Sequence, residues 1–295
     1  MFNLLLIILE QLLLHLPLIV GAYISLSLLK VPDLSLESAY LAGALTGSYA
    51  MLVVTNLPII LQIGLVVGAS LAGGAIIGIF SSLLTQKGRL PHLLSSIITF
   101  GIFHGLYQLV APSYLSLSQT SSPIAFLDYL PRYPELPVLL LLNLGTLLII
   151  CFVFTRQIGY AYVVYGNNPN FFKNYQISSS FIFMSGIILA NALAGFGGFL
   201  FAQSNSFVEL NMGLGKALLT ISTLILGKQF LSRTKAAIVI PLFGALIYFS
   251  LQQILLKFGF NLKYFTAIQA LLICAILLVT YRKNSRLLNN DNLGL

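Results

Sequence analysis

Charge is what this sequence lacks. Only 7% of its 295 residues are Asp, Glu, Lys or Arg, too few to clothe a water-soluble globule of that length in ionic side chains. Cysteine is scarcer still. Cys151 and Cys274 both lie in apolar runs, where a thiol packs as a small hydrophobe, so neither a disulfide nor a metal role is expected of them. There is no HExxH pattern and no Cys/His cluster among the three histidines, which leaves a zinc site unsupported. P-loop and Walker carboxylate are missing too, so the chain does not bind nucleotide by itself and energy for any pumping comes from elsewhere. "GASL" at 68–71 and His104 supply the residue types of an intramembrane serine hydrolase, but such short strings arise by chance in any Gly-rich helix. No catalytic residue, no cofactor and no enzyme activity are assigned.

What is abundant is apolar surface: 58% of the residues are hydrophobic. Nine runs, at 4–29, 36–56, 58–84, 91–111, 136–155, 179–202, 212–230, 236–256 and 262–281, mostly reach the roughly 20 residues that a helix needs to cross a bilayer. The expected fold is all-α, a polytopic transmembrane helical bundle of about nine spans. Broken or re-entrant helices are allowed at Lys30 to Glu37 and at Asn56 to Pro58. The first run has no basic flank before it and is too long for a signal peptide, so it is expected to stay as a span. Residues 1–286 read as one membrane domain, 287–295 as a disordered tail, and the Ser- and Pro-rich connection 112–137 as a solvated outer cap.

A net charge of +8 would suit nucleic acid, but the basic residues are scattered singly, without an aromatic-basic stripe. Their placement decides the orientation. With the amino terminus outside and the carboxyl terminus inside, Lys30, Lys87, Arg89, Arg156, Lys173, Lys228, Arg233, Lys235, Arg282, Lys283 and Arg286 face the cytoplasm. Arg132, Lys216, Lys257 and Lys263 then face outward, as the positive-inside rule favours.

Small residues mark helix contacts, because helices in lipid associate through close packing. Gly43/Gly47, Gly64/Gly68, Gly74/Gly78 and Gly101/Gly105 are each spaced by four. Gly186, Ala190, Ala194 and Gly198 form a ridge with Asn191 and Gly195 beside it, which predicts that this helix is buried in the bundle. Glu10 and His15 sit in the first run, where Glu10 reaches the outer headgroups and His15, before Pro17, bonds a freed carbonyl. In "KVPDLSLES" Asp33 and Glu37 are one helical turn apart. They either cap the next helix or line a solute path that receives a cationic amino group. His92 reads as an interfacial residue and His104 as an interhelical hydrogen-bond partner beside Gln108.

"YGNNPNFFKNYQIS", 165–178, stands between two oily runs. "GNNP" reads as a turn, Asn168 as an N-cap and Pro169 as the first-turn proline. Phe171, Phe172 and Tyr175 share one face of a short amphipathic helix, with Lys173 pointing elsewhere. Such an aromatic knob either anchors in a partner's groove or lies on the headgroups.

"PDLSLES" at 32–38, "VVYGNNPNFFKNYQI" at 163–177 and "NALAGFGGFLFAQSNSFVELNMGLG" at 191–215 together resemble the inner-membrane permeases of ABC importers of the branched-chain amino acid and ribose type, especially the tryptophan-like amino-acid uptake branch. Val163 and Val164 stand where that branch has Arg-Ala, and Phe172 where it has a small residue. The resemblance implies that the cytoplasmic loop 156–178 docks on an ATP-binding cassette subunit through Gly166, Asn167, Asn168, Pro169, Phe171, Phe172 and Lys173. It also implies an outer gate and solute path using Asp33, Glu37, Asn191, Gln203, Glu209 and Asn211. An extracytoplasmic solute-binding protein and a second permease copy or paralogue complete the assembly in the lipid of a bacterial inner membrane, and alternating access moves a small polar solute. The competing reading is an ion-driven secondary carrier with Glu10, Asp33, Glu37 and His104 as couplers.

Overall fold

The computed structural model describes residues 2–54, 57–117, 135–175, 177–231 and 239–260, with 264, 267–271, 274–275 and 278 beyond them. Nine α-helices carry these residues: α1 Phe2–Tyr23, α2 Ser35–Val53, α3 Ile59–Gln86, α4 His92–Val110, α5 Glu135–Thr155, α6 Gln157–Asn167, α7 Ser179–Asn205, α8 Lys216–Phe230 and α9 Val239–Lys257. The described residues are mostly helical, as the apolar runs require, with one departure among them from an all-α fold. Strands β1, Tyr114–Ser116, and β2, Phe207–Glu209, pair antiparallel with Leu115 opposite Val208. The ribbon forms because Ser206, in a left-handed conformation at φ 59, ends α7 and turns the chain alongside the residues after α4.

Five helical stretches are long and apolar enough to cross a membrane: Leu4–Leu28, Ile60–Gln86, His92–Val110, Ser179–Asn205 and Val239–Lys257. A sixth arises if α5 and α6, bent by 68° at their junction, form one broken span. The described residues therefore carry five or six candidate spans where nine were expected. The first eight runs do become helices, but three of them fall short of a straight span. α8 has 15 residues, about 22 Å at helical rise, against a hydrocarbon core of about 30 Å. α2 begins with Ser35 and Glu37 and is buried along most of its length, so it is built to face protein. α5 bends into α6. The ninth run lies largely outside the described residues, as do the 118–134 part of the outer cap, Arg132, Lys263, the basic positions 233, 235, 282, 283 and 286, and the 287–295 tail.

The predicted ridge makes α7 the central helix. Its glycines let α1, α2 and α3 approach backbone to backbone: a Cβ on Gly198 would run into the Tyr40 carbonyl, and one on Gly43 into the backbone of Gly195. The Gly74/Gly78 pair fits against Asn191 and Ile188 of the same helix. Gly64, Gly68, Gly101 and Gly105 follow the same four-residue spacing, yet none of the described residues lies within 4 Å of a Cβ on any of them. Spacing alone does not separate the two sets.

Pro17 sits inside α1 and cannot bond the carbonyl four residues back, Leu13. That carbonyl is met by Asn143 of α5, whose Nδ2 donates to it at 3.0 Å. The expectation that His15 fills this role is corrected: its Nδ1 faces the Gln11 carbonyl at 3.0 Å instead. Beyond Tyr23 the helix widens into a π turn, Ile24–Leu28. It closes with Leu29 N donating to Ile24 O and Val31 N to Ser25 O, around Lys30 at φ 56. Pro32 then prevents continuation. The break predicted at Lys30 to Glu37 is thus present between α1 and α2.

Candidate functional site

The 165–178 stretch folds as the end of α6 followed by a 3-10 turn, Pro169–Tyr175. Gly166 and Asn167 lie in the last turn of α6, one residue before the chain reverses, so "GNNP" is half helix and half turn. Asn168 does begin the next element: its Oδ1 accepts from Asn170 N at 3.1 Å. The two phenylalanines part company. Phe172 is buried and Phe171 is 42% exposed, their rings perpendicular at 5.6 Å. A 3-10 turn advances about 120° per residue, which points adjacent side chains apart and leaves one aromatic as root and the other outside. Of Lys173 only the backbone, in this turn, is described.

This corner is fastened to the break after α1. Gly166 packs on the backbone of Leu28 and Leu29 so closely that a Cβ would strike the Leu28 carbonyl. Lys30 Nζ donates to Asn167 Oδ1 at 2.6 Å. Gly166→Leu should therefore pry the corner from the joint and cost about 2 kcal/mol by overpacking, measurable as a lowered thermal midpoint of the purified chain in detergent.

Three residues beyond Lys30, Asp33 is buried against α7. Its Oδ1 accepts from Ser35 N at 2.9 Å and Ser35 Oγ at 2.5 Å, and its Oδ2 accepts from Asn191 Nδ2 at 2.9 Å. Ser35 Oγ is also 3.1 Å from Asn191 Oδ1. His92, the first residue of α4, brings Nε2 to 3.6 Å from Asp33 Oδ1 while its Nδ1 meets Thr85 Oγ1 at 2.9 Å. A carboxylate in an apolar bundle persists when donors surround it. Here α2, α4 and α7 each supply a partner. His92 is buried rather than interfacial. Nothing in its flanking sequence marks it, since only the fold brings the start of α4 beside the start of α2.

Glu37 serves a different helix. Its Oε1 accepts from the backbone N–H of Gly215 and of Ala217, both at 3.1 Å, so it caps α8 from a distance in sequence of almost two hundred residues. Of the two predicted uses of the Asp33/Glu37 pair, capping is met in part: Asp33 bonds locally at the head of α2, and Glu37 satisfies a helix N-terminus, though not its own. Beside that cap stands Lys216. Its side chain folds into the bundle: Nζ lies 2.9 Å from His15 Nε2 and over the rings of Phe201 and Tyr40, at 4.3 and 5.1 Å from their centres.

The remaining predicted positions do not join this cluster. Gln203 is buried near the end of α7, Glu209 pairs with Tyr114 in the ribbon, and Asn211 is exposed in the turn that follows. His104 contacts Gln108 at 3.2 Å within α4 itself, not across helices, and stacks on Phe100. Glu10 is half-buried. Of the positions named for ion coupling, Asp33, Glu37 and His104 thus have separate partners. Both thiols are free and exposed. A cavity of about 300 Å³ between α3, α5 and α7 has an almost wholly apolar lining that includes Gly64, Leu141, Gly145 and Phe196.

A family model described as the branched-chain amino acid transport system permease component matches residues 5–278. The chain belongs to that permease family. Among curated relatives, the permease is 30% identical over 266 residues to the uncharacterised protein RP368 of Rickettsia prowazekii (strain Madrid E), covering 88% of this chain and 91% of the relative. It is 26% identical over 243 residues to a tyrosine transport system permease protein of Clostridioides difficile (strain R20291), covering 77% and 75%. No solved structure matches it. The permease is accordingly a multi-pass membrane protein of a transport family. Its buried Asp33 and Asn191 and half-buried Lys216 then stand in a bundle whose surroundings are lipid, where each ionisable group needs a built partner.

Proposed function

We propose that this permease is the membrane subunit of an ABC importer in a bacterial inner membrane, with the Gly166 to Lys173 corner as the docking point for a separate ATPase. The family match over 5–278 carries the reading, and the relative that transports tyrosine supports an amino acid as solute. The corner suits the role mechanically: Phe171 is outside, Phe172 roots the turn in the core, and Gly166 and Asn167 tie it to the α1/α2 break that leads to Asp33. A push on Phe171 is delivered to the buried cluster through a few residues of stiff backbone. Asp33, Glu37 and Asn191 line the inner part of the solute path, and Gln203, Glu209 and Asn211 the outer part. A solute-binding protein delivers from outside, a second permease copy or paralogue faces this one, the amino terminus is outside and the carboxyl terminus inside. ATP turnover in the partner alternates access between the two sides.

The test is co-purification of the ATPase encoded with this chain. Phe171→Asp should weaken it by roughly tenfold or more, as loss of an aromatic anchor does, while the thermal midpoint of the permease holds because the side chain is exposed. Solute uptake by the permease alone in proteoliposomes under an ion gradient, with no ATPase present, would overturn the reading.

A further inference from the structure

Glu37 and Lys216 carry opposite charges on touching stretches of chain and do not neutralise one another. Glu37 Oε1 is held by the N–H groups of Gly215 and Ala217, the residues on either side of Lys216. Glu37 Oε2 takes no hydrogen bond from the described residues. Lys216 turns away to His15, and no carboxylate stands within 4.0 Å of its ammonium among the described residues. A lysine at membrane depth is costly and usually finds an acid. This one is held in place by an imidazole nitrogen and two ring faces, which orient the ammonium without cancelling its charge. The His15 ring is set for this: Nδ1–H directed at the Gln11 carbonyl leaves the Nε2 lone pair for Lys216. The pair is also reachable. Glu37, Gly215 and Lys216 are half-buried, and Leu214 and Leu218 on the same turn are 50% and 38% exposed.

We propose that Glu37 and Lys216 form a clamp for the backbone of an α-amino acid, the solute's ammonium taken by Glu37 Oε2 and its carboxylate by the Lys216 ammonium. This rests on the importer reading and adds to it the two residues that recognise the zwitterion. Two fixed charges of opposite sign, on touching ends of α2 and α8, select against the alternatives. A dianion is repelled by Glu37, a simple amine by Lys216, and an uncharged sugar leaves both charges unpaired when water is displaced. His15 acts through Lys216 as a positioning residue.

The experiment is equilibrium binding to the full-length permease in lipid nanodiscs, with tritiated L-tyrosine, L-leucine and L-lysine as probes. The competitors are the amide of whichever probe binds, which lacks the carboxylate charge, and its des-amino acid, which lacks the ammonium. The wild type should prefer the zwitterion to either by roughly tenfold to a hundredfold. Lys216→Met should lose the preference over the amide and keep that over the des-amino acid; Glu37→Gln should do the reverse. Glu37→Gln retains an oxygen for the N–H groups of Gly215 and Ala217, so it preserves the α8 cap and keeps the test decisive should Lys216→Met fail to fold. Each preference is a ratio within one protein and does not depend on yield. Both variants discriminating as the wild type does would overturn the clamp. So would no displaceable binding of any probe to a permease that still imports amino acids when assembled with its ATPase and binding protein. Absence of ATP-driven import by that assembly is a separate result, and it removes the importer reading itself.

Discussion

Gly43→Leu should leave no folded bundle to study, whereas Gly101→Leu should leave its stability unchanged. The Cβ of the first would occupy the backbone of Gly195, which cannot rotate aside as a side chain does, so α2 and α7 must separate. Overpacking against backbone at the centre of the bundle is expected to cost about 4 kcal/mol or more, a large share of the roughly 5–15 kcal/mol that holds a typical domain together. Gly101 sits on α4 with open space beside it, and there a leucine adds an apolar group facing lipid. Thermal unfolding in nanodiscs, followed by helical circular dichroism, checks both. Equal loss in the two variants would show that the α2/α7 contact is not the tight one.

Asn191→Ala should destabilise the permease by about 2 kcal/mol, because it strips the donor from Asp33 Oδ2 in a buried site. Asp33→Ala should cost a comparable amount by releasing the Ser35 and Asn191 donors. The informative number is their coupling. When both residues are replaced, the second loss should be mostly already made, giving an interaction energy of about 2 kcal/mol in a double-mutant cycle. Reversible unfolding in mixed micelles measures it. Strict additivity would mean that the two side chains do not share a bond.

The helical bundle, its central helix and the break after α1 were legible in the sequence because each has a local cause: apolar runs of sufficient length, a ridge of small residues, and a proline where a helix must stop. The span count was less legible. Hydrophobicity reports only that a segment avoids water, and α2 achieves this by burial among helices, while α8 stops short of a crossing. The pairing of Asp33 with Asn191 is equally hidden, since 158 positions separate them and neither carries a local mark of the other. Glu37 shows the limit most plainly. An acid in the first turn of α2 satisfies the rule for helix starts, yet the N–H groups it serves belong to α8. The contacts of Lys216 were hidden for a related reason: counting charges at the flanks of runs assigns a side, but not whether the side chain folds back into the bundle.

A seam in which hydrogen is the only tolerated substituent fixes what can slide. With Gly43 on Gly195 and Gly74 on Asn191, a one-turn slide of α2 or α3 that brings Ala39 or Ser70 to those contacts would drive a methyl or larger group into backbone, whereas the opposite slide brings Gly47 or Gly78 there. The seam is thus keyed in one direction only, so any relative travel of α2 or α3 along α7 has a preferred sense.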